Sequence, residues 1–189
     1  MPLPWLEPGS ADPFPPLAEA LTAPAGLLAA GADLGVGRLL DAYCRGIFPW
    51  YEADQPILWW SPDPRLVLWT DRLRISRSMA RLIRRHPYSL TMDQAFAEVM
   101  VQCANARRGR SGTWITPQMI SAYTRLQQLG HAHSVEVWQG GSLVGGLYGV
   151  VVGRMFFGES MFSTASNTSK LALFYLVQQL QRWQFPLID

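Results

Sequence analysis

Hydrophobic positions follow two rhythms along the chain. Between Leu73 and Gly130 they recur at helical spacing; from Ala132 they alternate with polar residues, the period of a half-buried strand. LRISRSMARLIRRHPY reads as a helix, with Ser76 placed to cap it and Pro87 to limit it. Its Met79, Leu82 and Ile83 fall on one side, and Arg77, Arg81, Arg84 and Arg85 on the other. DQAFAEVMVQCAN gives a second helix that turns Phe96, Val99, Met100 and Cys103 inward, and ARRGRSG reads as a basic loop after it. Thr116-Pro117 opens a third helix, since proline suits the first turn. SVEVWQ and LVGGLYGVVV then form a hairpin about Gly140-Gly141. Gly153-Arg154 leads into a third strand, MFFGESMF, and SKLALFYLVQQLQRW into a long helix. Pro186 ends that connection and LID begins a strand, expected to lie parallel to its neighbour after a crossover. It stops after three residues, where about five or six are usual, so either the chain is shortened at its C-terminus or Asp189 is a frayed edge.

The first third is different. Eleven of the fourteen prolines precede Arg65, and the segment reads as loops around short helices. RLLDAYCRG is one such helix, with Leu39, Leu40 and Tyr43 on a face and Gly46 as its stop. PILWWSPDPR reads as a connection into a second unit, which places a boundary near residue 64. The fold class is therefore α+β, a small unit over residues 1–64 and a larger one over 65–189.

At 189 residues, 49% hydrophobic and 16% charged, the composition is that of a globular protein. No apolar run reaches the roughly 18 residues a spanning helix needs, and the N-terminus lacks the basic start and apolar centre of a secretory signal. Cys44 and Cys103 lack CxxC spacing and fit a reducing cytoplasm. Net charge is only +2, yet between Arg72 and Arg110 nine arginines face two acids, Asp93 and Glu98. That local excess is either a solvated face or a footprint for phosphate.

Candidate chemistry centres on Glu159, one carboxylate within FFGESMFS. On an unbroken strand Phe157, Glu159 and Met161 face one way and Phe156, Gly158 and Phe162 the other. The acid is then either a strand-edge carboxylate or one held in an apolar pocket to meet a cation or a polar substrate group. His131 and His133 lack further ligands at metal spacing, and Ser160, Ser163 and Ser166 lack a nucleophile elbow. No phosphate-binding glycine loop is present. Trp50 and Trp114 sit in turn-rich contexts, where a ring either packs or stacks on a base.

The runs GIFPWY, PILWWSPDPR, ISRSM, GTWIT, GHAHSVEVW, LVGGLYGV, FFGESMFS and LID occur in an order and spacing that resemble the bacterial leucyl/phenylalanyl-tRNA protein transferase family. The resemblance spans the chain from Gly26 onward. It implies an aminoacyltransferase that moves Leu or Phe, and less readily Met, from aminoacyl-tRNA to proteins beginning with Arg or Lys, marking them for N-end rule degradation. It implies a small N-terminal domain followed by an acetyltransferase-like (GNAT-like) domain with a mostly antiparallel sheet flanked by helices. A cytoplasmic, non-membrane protein is expected, as a monomer.

No cofactor is expected. STASNTSK lacks the glycines of a CoA-pyrophosphate loop, and aminolysis of an ester by an α-amine runs downhill without ATP or metal. The resemblance implies catalytic roles for Asp189 and Glu159. Asp189 matches the acid of an Asp–Gln relay whose Gln, two residues on, falls beyond the last residue. Trp50, Trp114 and Tyr123 match residues around the aminoacyl-adenosine. Leu147, Phe156, Leu176, Leu180 and Ile188 match the pocket for the amino-acid side chain. Arg77, Arg81, Arg84 and Arg85 match a cluster facing the tRNA acceptor stem. The alternatives are a chain that binds aminoacyl-tRNA with impaired transfer and a tRNA-dependent cell-wall aminoacyltransferase.

Overall fold

A computed structural model describes residues 3–85, 87–111 and 113–189. The proline-rich first third is not a set of loops around helices. It holds β1 (Trp5–Leu6), β2 (Leu27–Gly31), helix α1 (Val36–Cys44), β3 (Phe48–Pro49) and β4 (Leu58–Trp60). The strands form a sheet ordered β1-β2-β4-β3, with β1 parallel to β2 and the other pairs antiparallel. PILWW, expected as a connection, thus supplies a strand. β2 is LLAAG and buried throughout, so it shows no polar alternation. Trp59 is fully buried, stacked edge-on against Phe14, and its Nε1 donates to the Gly31 carbonyl at 3.0 Å.

The second sheet is built from β5 (Leu68–Trp69), β6 (Ser89–Met92), β7 (Ala132–Gln139), β8 (Ser142–Val152), β9 (Met155–Ser163) and β10 (Leu187–Ile188). Their order is β5-β10-β9-β8-β7-β6, antiparallel except for β9 and β10, the crossover pair. Gly140 and Gly141 both take positive φ, +56° and +79°, as a two-residue hairpin turn requires. The helices are α2 (Arg77–Arg85), α3 (Phe96–Ser111), α4 (Pro117–Gln128) and α5 (Thr168–Arg182). Ser76 and Thr116 cap α2 and α4 through the amides of Met79 and Met119. α3 runs on through Ser111, so most of the expected basic loop is helical; Gly112 lies outside the described residues. β6 was not anticipated.

Two apolar cores flank this sheet. Under α3 and α4, Val99, Met100, Met119 and Tyr123 pack on Tyr148, Val150, Phe157 and Phe162. Phe14, Leu28, Tyr43 and Trp59 belong to that same cluster, so one core runs beneath both sheets. On the other face Met79, Leu171 and Leu176 pack on Val135, Val137, Leu147 and Phe156. Phe156 and Phe162, expected on one side of β9, are therefore in opposite cores. The reason is a bulge. Gly149 pairs with Gly158 and Tyr148 with Ser160, which leaves Glu159 unmatched on β8 and reverses the alternation beyond it.

Candidate active site

Glu159 is the extra residue of that bulge, and its side chain is aimed at α1 rather than along the sheet. Tyr43, on the buried face of α1, donates to Glu159 Oε1 at 2.5 Å. Tyr123, from the buried face of α4, lies 2.5 Å from the Tyr43 hydroxyl. Burial raises the Glu159 carboxyl from 4.5 to about 7; the Tyr43 hydrogen bond and the Arg65 charge act against burial, and Asp189 acts with it. Both phenols are held well above their ordinary 10, chiefly by burial and then by the Glu159 charge. The lone acid of the sequence is thus partnered.

Asp189 reaches the same place from β10. Its amide donates to the Phe156 carbonyl at 2.9 Å, and its carbonyl accepts from the Gly158 amide at 2.8 Å. These bonds bring the main chain of β10 alongside the bulge. Its carboxylate is gripped by Arg65, through Nε at 3.0 Å and Nη2 at 2.6 Å.

Two cavities meet at Gly158, Glu159 and Asp189. One, of about 230 Å³, is walled by Phe48, Trp50, Trp114 and Phe157, with Tyr43 and Arg65. The other, of about 520 Å³, is apolar, with Leu66, Leu68, Leu147, Phe156, Leu173 and Ile188 among its walls. Among the described residues, no histidine lines either cavity.

The two acids and the two tryptophans named from the sequence, Trp50 and Trp114, therefore share the first cavity, and Leu147, Phe156, Leu176 and Ile188 share the second. Leu180 is buried in the same core but lines neither cavity, and Tyr123 stands a layer behind Tyr43. Arg77, Arg81, Arg84 and Arg85 are exposed on α2, away from its buried Met79. Tyr43, Arg65 and Leu173 escaped sequence reasoning. The only signal for Arg65 was its place closing the PILWWSPDPR run; Tyr43 carried none beyond a helical core position. His133 instead pairs with Asp93, Nδ1 to Oδ2 at 2.7 Å, a contact that raises its pKa. Among the described residues, no three His, Cys, Asp or Glu side chains group to hold a metal, and no helix is long and apolar enough to cross a membrane.

An aromatic cleft and an apolar one thus meet at two carboxylates, Glu159 and Asp189. The chain belongs to the leucyl/phenylalanyl-tRNA protein transferase family: the profile of that family matches residues 67–189, and that of its N-terminal domain residues 32–63. The leucyl/phenylalanyl-tRNA protein transferase of Ectopseudomonas mendocina (strain ymp) is 57% identical over 187 residues, 99% of this chain and 82% of the relative. That of Chromobacterium violaceum is 53% identical over 187 residues, 99% of this chain and 79% of the relative. Among solved structures, L-PGS from Bacillus licheniformis superposes with a TM-score of 0.46 at 12% identity, over 85% of this chain and 52% of its own.

Proposed function

We propose that the protein transfers a leucyl or phenylalanyl group, and less readily a methionyl one, from aminoacyl-tRNA to the α-amine of proteins beginning with Arg or Lys. The product would enter N-end rule degradation. The observation that carries this reading is the junction of the two cavities at Glu159 and Asp189. The terminal adenosine stacks in the first cavity, between Trp50 and Trp114. The amino-acid side chain enters the second, where Leu147, Phe156, Leu176 and Ile188 offer apolar contact. The ester carbonyl then lies at the shared rim.

Holding amine and ester together supplies much of the acceleration. The amine nitrogen forms a bond to the carbonyl carbon, and the bond from that carbon to the ribose oxygen breaks. The proton leaving the nitrogen passes to Glu159 and from there to the ribose oxygen. A carboxyl near pH 7 suits this two-way traffic, since an α-amine titrates at about 7.7–8.0. The two carboxylates also favour a cationic chain end. The exposed arginines of α2 meet the tRNA acceptor stem.

Transfer of radiolabelled Leu from Leu-tRNA to an Arg-starting peptide tests this. Labelling is expected, with little on a peptide that starts with Asp. Absence of labelling on the Arg-starting peptide, or equal labelling of the two peptides, would overturn the reading.

A further inference from the structure

Tyr43 and Tyr123 form a hydrogen-bonded chain that ends on Glu159, and nothing about them was legible as chemistry in the sequence beyond a match of Tyr123 to the adenosine surroundings. In the structure Tyr123 is fully buried and lines neither cavity. Its ring instead stands edge-on to Tyr43, at 6.4 Å between centroids, with the two hydroxyls 2.5 Å apart. Tyr43 in turn packs on Phe157, next to the bulge, so its ring cannot swing without unpacking the core.

The direction of the chain follows from counting protons. When Glu159 is ionised it only accepts, so Tyr43 gives it its single hydrogen and Tyr123 supplies the hydrogen between the phenols. When Glu159 is protonated its own hydrogen can point to Tyr43, and the Tyr43 hydrogen to Tyr123. Either arrangement leaves the bonds along the chain made, and the switch needs only rotation of hydroxyls. A lone buried carboxyl would lose a partner in one of its two states, at a cost in free energy. Among the described residues, the other titratable groups facing this chain are Arg65 and Asp189 beside Glu159, Tyr51, and Tyr148, whose ring stands edge-on to Tyr123 at 6.1 Å between centroids.

We propose that Tyr43 and Tyr123 are positioning residues: a reversible hydroxyl chain that holds Glu159 in place while it takes up and returns the proton of the transfer reaction. This rests on the reading of Glu159 given above. Proton and charge balance within the step, because the proton received from the amine is the one delivered to the ribose oxygen.

The test uses the full chain with Tyr43→Phe, Tyr123→Phe and the double variant. The double variant removes both hydroxyls, so no buried phenol is orphaned if a single variant folds poorly. Transfer of Leu is followed against pH, and the Glu159 carboxyl is titrated by carbon NMR without substrate. Tyr43→Phe should lower the rate at pH 7 on the order of tenfold, the scale of one hydrogen bond to a charged group. The loss should shrink at higher pH, and the carboxyl should titrate at higher pH than in the wild type. Tyr123→Phe should shift both in the same direction by less. The acceptor amine is common to all the variants, so its own titration cannot produce the shift. A wild-type enzyme that transfers Leu, beside a Tyr43→Phe variant with an unmoved pH profile and an unmoved carboxyl titration, would overturn the inference. A wild-type chain without transfer would instead overturn the proposed function.

Discussion

Arg65 holds Asp189 through a two-pronged contact, and the same guanidinium donates from Nη1 to the Gly46 carbonyl at 3.0 Å while lying 4.9 Å from the centre of the Phe48 ring. One side chain thus ties the tip of β10 to the loop after α1 and to the aromatic wall. Lysine would keep the charge but lose the fork. Arg65→Lys is expected to lower kcat about tenfold, the size of a lost charge-assisted bond, with less effect on KM for aminoacyl-tRNA. Steady-state kinetics equal to the wild type would show that Asp189 needs no such grip.

The acid should cost stability at neutral pH. The folded-state pKa of Glu159, about 7, lies above its ordinary 4.5, so folding favours the protonated form. The stability this gives is complete below about 4.5 and is lost as pH rises through about 7. Glu159→Gln cannot ionise and still accepts from Tyr43. It is expected to exceed the wild type by about 1–3 kcal/mol at pH 8, with the gap closing toward pH 5. Urea melts at the two pH values check this; the opposite trend would mean the carboxylate is stabilised by folding. The same variant should lose most Leu transfer at pH 7.

The apolar cavity should set the choice of amino acid. Leu173 lines it from α5 and is only partly buried, so a larger ring there fills space without disturbing the core. Leu173→Trp is expected to reduce Phe transfer more than Leu transfer, by about tenfold in the ratio of kcat/KM. Competition between the two charged tRNAs gives that ratio directly.

The arginine face of α2 makes an electrostatic prediction. Arg81→Ala with Arg84→Ala should weaken tRNA binding and reduce the slope of log K against log salt by about two. Filter binding across a salt series measures it. An unchanged slope would make these arginines a solvated face.

Gly149 should resist substitution. A Cβ there would collide with the Phe157 carbonyl and with the ring of Phe156, which walls the apolar cavity. Gly149→Ala is expected to lower stability by about 1–3 kcal/mol and to impair Leu transfer as the ring is displaced. A thermal melt and a transfer assay report the two effects separately.

The alternating strands were legible because burial on one face writes itself into every second residue, and Gly140-Gly141 marked their turn. The N-terminal sheet was not, because β1 and β3 have two residues each and LLAAG is buried throughout. Gly109 made the end of α3 look like a loop, although the helix passes through it. The bulge was equally hidden, since a single unmatched residue changes pairing and not composition. That residue is Glu159, the acid that meets Tyr43. The site itself was legible as a set of residue types, through resemblance, but its wiring was not: Tyr43 meets Glu159 across 116 positions, and Arg65 meets Asp189 across 124. No spacing rule spans such distances.

The cluster that joins Phe14 and Trp59 to Tyr123, Tyr148 and Phe157 has a further consequence. The jaws of the cleft are cast as one piece, because the wall bearing Trp50 and the floor bearing Glu159 rest on a common foundation. Neither can tilt away from the other without prying buried rings apart. Groups that enter the cleft therefore meet walls already braced against each other.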